Sequence, residues 1–252
     1  MARIEPMDRA LRSPLGRVSP LLKLGIAIGW FLALATTTQI GPALALAAAA
    51  LLLAAIFGRV PVDRLLRGVL PLWAVALSVG IFNALFAAVN ADPTAAELLR
   101  VGPLRLTEPA VAAGAGIAAR VIAIASVGVV FAQTTDSTRL ADSLVQQAGV
   151  SDRFAYGALA AYQAVPRFGE DLATLRQARR IRGLRGGWHP RLIVGLLVLA
   201  IRHGDRLAVA MDARGFGSGP RSRYREVRWT WLDAVALVAG VVLAVGALVA
   251  FG

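Results

Sequence analysis

Five apolar runs, each close to twenty residues long, divide this 252-residue chain. They lie at about 21–38 (LLKLGIAIGWFLALATTT), 41–58 (GPALALAAAALLLAAIFG), 69–89 (VLPLWAVALSVGIFNALFAAV) and 109–132, and from Trp229 to the last residue (WTWLDAVALVAGVVLAVGALVAFG). At a rise of about 1.5 Å per residue, roughly twenty apolar residues cross the ~30 Å hydrocarbon core of a bilayer. With 57% of its residues hydrophobic and 17% charged, the chain is too apolar for an ordinary soluble domain. The expected fold is an all-α polytopic integral membrane protein with about five transmembrane helices. Trp229 and Trp231 suit the interfacial belt at the start of the last span.

Arginine placement sets the expected topology, because basic residues in the loops flanking spans stay on the cytoplasmic side. The segments 1–23, 59–67 and 133–228 hold 5, 3 and 16 of the 27 basic residues, all arginine except Lys23. With the N-terminus inside, these 24 face the cytoplasm and only Arg100 and Arg105 lie in an outer loop. The basic, proline-containing start MARIEPMDRALRSPLGRVSP is read as a cytosolic tail, since a proper span follows it. Arg120 falls inside the fourth run, where an unpaired arginine costs at least about 2.5 kcal/mol. Its plain reading is a place near an interface or inside the bundle; contact with a membrane partner is the functional alternative.

Nearly one hundred residues separate the fourth and fifth runs, too many for a structureless loop. The expected organisation is therefore residues 1–132 as tail and first four spans, 133–228 as a cytosolic helical module, and 229–252 as the last span. Within the module, Thr135 or Asp136 offers an N-cap, Leu140 and Leu144 an apolar pair, and Gly149 a stop. Phe154, Ala158, Ala161 and Val165 mark one helical face, ahead of a kink at Pro166. Leu192, Leu196, Leu199, Leu207 and Ala210 mark another after Pro190. The apolar stretch Leu192 to Ile201 is too short to span and is expected to pack against neighbouring helices.

Both long helices end alike, in ARRIRG and AMDARG. Ala178, Ile181 and Arg182-Gly183 repeat at Ala210, Ala213 and Arg214-Gly215. Glycine in the left-handed conformation is an ordinary helix stop, and arginine there complements the helix dipole. Two copies in one module add a shared binding role, since the guanidinium fork grips a carboxylate bidentately where lysine cannot. Arg179 and Arg180 crowd the first copy, in which Arg182 is favoured.

Catalytic chemistry is hard to find. There is no cysteine, no P-loop and no paired-aspartate cluster, and GFGSG at 215–219 reads as a helix stop and turn. His189 and His203 lack metal-ligand spacing, so neither a metal nor another cofactor is expected. Asp205 and Asp212 read as solvated charges or as partners of Arg214. The module carries 16 arginines against 8 acidic residues, but topology and anionic headgroups account for this without nucleic acid.

Taken in order, SPLLKL, RVIAIASVGVVFAQTTDSTRLADSL, AYQAVPRFGEDL and the two A-x-x-x-R-G ends resemble the transmembrane T component of energy-coupling factor (ECF) transporters. The resemblance covers nearly the whole chain. It implies a non-catalytic scaffold in a bacterial-type cell membrane, which links two cytosolic ABC-type ATPases to a substrate-binding S component for uptake of a vitamin, vitamin precursor, or nickel or cobalt ion. It also implies that Arg182 and Arg214 lead the helix ends seated on the ATPases. A stand-alone channel or carrier is the alternative, and would transport without any ATPase.

Overall fold

The structure, a computed structural model, describes residues 13–251 except 93, 102–103, 185–188, 220–222 and 224. About 79% of it is helical. The described helices are α1 (Pro14–Arg17), α2 (Pro20–Ala35), α3 (Ile40–Ile56), α4 (Val62–Leu85), α5 (Glu108–Thr134), α6 (Ser137–Ala148), α7 (Asp152–Ile181), α8 (Pro190–Ala213) and α9 (Trp231–Phe251). Residues up to 140 together with those from 228 onward form one compact unit, and 141–227 form a second.

The first unit is the membrane body of a polytopic protein. Helices α4, α5 and α9 are long and apolar enough to cross a bilayer, and α2 and α3 are shorter apolar helices of 16 and 17 residues. Small residues let these helices approach closely, as expected where lipid tails compete with side chains for apolar contact. A methyl group on Gly114 of α5 would lie 2.5 Å from the Gly80 carbonyl oxygen of α4, so the two backbones touch there. A core of Trp30, Leu34, Leu46, Ala47, Ala119, Ala123 and Ala247 joins α2, α3, α5 and α9.

Arg120 lies in mid-helix, because α5 begins at Glu108, twelve residues before it. Its guanidinium packs inside the bundle and donates to the Thr37 carbonyl in the α2–α3 turn. The same turn presses the Thr38 carbonyl against Gly116, so α2 and α3 stop about two helical turns short of the beginning of α5.

Two local features differ from the sequence reading. Helix α4 starts at Val62, seven residues before the expected apolar run, so Arg64 and Arg67 ride on its first turns and Arg67 pairs with Asp63 at 2.7 Å. The expected loop at 90–108 holds an antiparallel hairpin, β1 (Glu97–Val101) and β2 (Leu104–Thr107). Asn90 fixes it: its side chain donates to the Ala84 carbonyl at 2.7 Å and accepts from the Thr107 amide at 3.0 Å. The end of α4 is thereby tied to the N-cap of α5.

In the second unit, α7 and α8 run antiparallel. Leu175 and Gly195 meet where the two helices touch, and at the other end the Arg153 guanidinium donates to the Gly217 carbonyl at 3.2 Å. Helix α7 continues through Pro166 as a single 30-residue element. Helix α8 opens with Pro190 at its first position, and the His189 imidazole caps it by accepting from the Arg191 amide at 3.1 Å.

Candidate functional site

The two Ala/Arg-Gly ends adopt one geometry. Arg182 closes α7 with φ −78° and ψ 10°, and Arg214 closes α8 with φ −91° and ψ 8°. Each is followed by a glycine in the left-handed region, Gly183 at φ +71° and Gly215 at φ +67°. Hydrogen bonds then fold the chain back over the last turn. Gly183 N–H donates to Arg180 O at 3.0 Å and Leu184 N–H to Arg179 O at 3.3 Å. The second copy repeats this from Gly215 to Asp212 at 2.8 Å and from Phe216 to Met211 at 2.9 Å. This is the Schellman stop, in which the left-handed residue is nearly always glycine because a Cβ would meet its own backbone.

That stop turns the chain away and leaves the helix tip open. Ala178, Ile181, Arg182 and Gly183 are all exposed, as are Ala210, Ala213 and Arg214, with Gly215 half-buried beneath. Ile181 is 87% exposed, so the apolar side chain beside the Arg182 tip is uncovered. Arg179, one turn earlier, is half-buried with its Nε out of solvent, whereas Arg182 stands at the position equivalent to Arg214. Helix α8, at 24 residues, is about 36 Å long, so tips at opposite ends of the pair cannot enter a single socket.

The flanks of the pair are also uncovered. Leu192, Leu196 and Leu199 turn inward, but Ile193, Val194, Leu197, Val198 and Ile201 on the other side of α8 are exposed, so the Leu192–Ile201 stretch packs on one side only. On α7 the face marked by Phe154, Ala158, Ala161 and Val165 is likewise open, with Tyr162 beside it. Sequence periodicity identified these stripes but not which of them the chain itself would cover.

Asp136, Gly149 and Tyr156 have structural tasks. Asp136 caps α6, accepting from the Arg139 amide at 2.9 Å, and Gly149 ends that helix at φ +68°. Asp205 and Asp212 are exposed. Tyr156 donates to Asp142 at 2.8 Å, a contact the sequence did not announce; burial, reinforced by that hydrogen bond, pushes its phenol up to about 12. Among the described residues no three of His, Asp or Glu gather as a metal site would require.

Apolar spanning helices joined to a helical module with two matched, exposed tips define an all-α polytopic membrane protein. The family model described as "CbiQ: Cobalt transport protein" matches residues 12–225, and the chain belongs to that family. It is similar to the energy-coupling factor transporter transmembrane protein EcfT of Limosilactobacillus fermentum, at 29% identity over 95% of this chain and 92% of that one. The EcfT of Heliobacterium modesticaldum is 28% identical over 91% and 90%. A putative ABC transporter ATP-binding protein of Bifidobacterium longum is 25% identical over 94% of this chain but only 32% of its own length. The protein is thus a multi-pass cell-membrane transport subunit, the T component of an ECF transporter, and is itself non-catalytic.

Proposed function

We propose that this chain is the energy-coupling scaffold of an ECF-type importer, with its N-terminus and its 141–227 unit on the cytoplasmic side. Arg182 and Arg214 each seat in an acidic groove on one of two ABC-type ATPases. The observation that carries this reading is the duplication: two helix tips of one geometry suit two related subunits. Ala178, Ile181 and Gly183 shape the first tip, and Ala210, Ala213 and Gly215 the second. The arginine count favours the orientation, with 24 of 27 basic residues in the three segments assigned to the inside.

The long Bifidobacterium relative supports an ATPase partnership, because a stretch similar to this whole chain makes up about a third of a protein named for ATP binding. The uncovered stripes on α7 and α8 supply apolar surface for a substrate-binding S component. ATP-driven closing and opening of the ATPases then moves the two tips and, through the helices, the S component. The cargo is a vitamin, vitamin precursor, or nickel or cobalt ion, with cobalt favoured by the description of the family.

The test is charge reversal at the tips in the chain co-expressed with its ATPases. Arg182→Glu together with Arg214→Glu is expected to weaken ATPase binding by roughly 30-fold or more, since it buries like charges in both grooves. Co-purification and uptake should both be lost. Survival of both in the double variant, or uptake in cells lacking the ATPases, overturns the proposal; the latter outcome marks a stand-alone carrier.

A further inference from the structure

An apolar cavity of about 630 Å³ opens in the first unit between α1, α2, α3, α5 and α9. Its floor is the Trp30 ring, whose indole N–H is satisfied by the Gly240 carbonyl at 2.8 Å, so that only hydrocarbon faces upward. Its walls include Ala27, Val130 and Ala236. At the opposite end stand Lys23 and Arg17, with Trp231 beside them. From Lys23 to Trp30 is seven residues of helix, about 10 Å, and from Trp231 to Gly240 nine residues, about 14 Å. The cavity therefore reaches about one leaflet into a hydrocarbon core of ~30 Å.

The cation at its mouth forms no ion pair among the described residues, since the Asp233 carboxylate acts on it only from beyond salt-bridge distance. Lys23, the sole lysine of the chain, is only 9% exposed, and its ammonium makes one hydrogen bond, to the Thr134 carbonyl at 2.7 Å. No carboxylate lies within ion-pair distance among the described residues. Asp233, on the adjacent helix, directs one oxygen to the Ser19 amide at 2.7 Å and the other to the Thr230 amide and hydroxyl at 2.7 and 2.9 Å. Arg139, near the same joint, adds positive charge and donates to the Gly16 and Arg17 carbonyls. A buried ammonium with two donors to spare is costly without a counter-charge.

We infer that this cavity is a binding site for one anionic phospholipid, its phosphate held by Lys23 and Arg17 and one acyl chain lying along α2 and α9 down to Trp30. The site matches both halves of such a molecule: a cationic rim at headgroup level and an apolar shaft about one leaflet deep. Basic pockets between membrane helices hold acidic headgroups in the same way. This inference is independent of the tips and of the ATPases. It concerns the lipid that the membrane body carries.

The experiment is native mass spectrometry of the full chain, released from detergent after incubation with phosphatidylglycerol or phosphatidylcholine of matched acyl chains. The expected result is one phosphatidylglycerol retained about tenfold more than phosphatidylcholine, because two cations favour a headgroup of net negative charge over one whose phosphate is offset by its own quaternary ammonium. Lys23→Met should abolish the preference while Lys23→Arg keeps it. Ala27→Trp, which fills the shaft and leaves both charges in place, should remove retention of either lipid. Equal retention of the two lipids, an unchanged preference in folded Lys23→Met, or undiminished retention in Ala27→Trp overturns the inference. So does retention that emerges only after residues 2–12 are deleted, since the chain's own start would then be the occupant.

Discussion

Several single residues in this protein meet a polar partner far away in the chain, where a group taken out of water gains most from one. Arg120 shows it plainly. Sequence placed a charge inside a span and could not say what met it, because Thr37 lies 83 residues away. The Thr37 carbonyl belongs to a turn that has left its helix, and a guanidinium reaches it where no backbone donor does. Asp233 and Ser19, separated by 214 positions, were illegible for the same reason, whereas the Asp136 cap was legible because it is local.

Tyr156 gives a test at this scale. Its phenol is pushed up to about 12 by desolvation and then by the hydrogen bond it donates to Asp142. A folded value above the unfolded one, about 10, means that the contact stabilises fully below pH 10 and is lost as pH climbs towards 12. Subtracting the phenolate absorbance titration of Tyr156→Phe from that of the native chain should leave one tyrosine with a midpoint near 12. A midpoint near 10 would show that the contact does not persist in solution.

At the level of elements, the spans and helix stops were legible because each is written in consecutive residues. Apolar length announces a span, and Arg-Gly after an apolar stripe announces a stop. The hairpin at 97–107 was not legible, since its strands are only five and four residues long and its position depends on Asn90, outside it. The early start of α4 was missed because Arg64 and Arg67 mimic a loop, although the i, i+4 pair with Asp63 makes Arg67 a good surface helix residue.

Helix contacts supply the second prediction. Gly114→Ala should destabilise the protein by roughly 1–3 kcal/mol, because its methyl group would meet the Gly80 carbonyl at 2.5 Å and the Ala84 side chain at 2.9 Å. Gly128→Ala on the same helix meets nothing within 4 Å and should be neutral or gain up to about 1 kcal/mol from helix propensity. Thermal unfolding of the two variants in one detergent compares them directly. Equal midpoints would mean that α4 and α5 are not in backbone contact.

For the whole molecule, the absence of cysteine makes sidedness easy to measure. Ala96→Cys, at the hairpin, and Ala173→Cys, on α7, each introduce a single thiol at an exposed position. With the N-terminus inside, a membrane-impermeant maleimide should label the first in intact cells and the second only after permeabilisation. The reverse pattern would invert the orientation and remove the tips from any cytosolic ATPase.

The touch point of Leu175 and Gly195 sits unevenly between the two tips. Arg182 lies seven residues beyond it along α7, about 10 Å, and Arg214 nineteen residues beyond it along α8, about 28 Å. For motion about that contact, the pair would be a beam with unequal arms. Any rocking about that fulcrum sweeps the Arg214 end nearly three times as far as the Arg182 end. Under the proposed function, two ATPase grooves that open by equal amounts would pull unequally on such a beam, and a symmetric motor would deliver an asymmetric stroke.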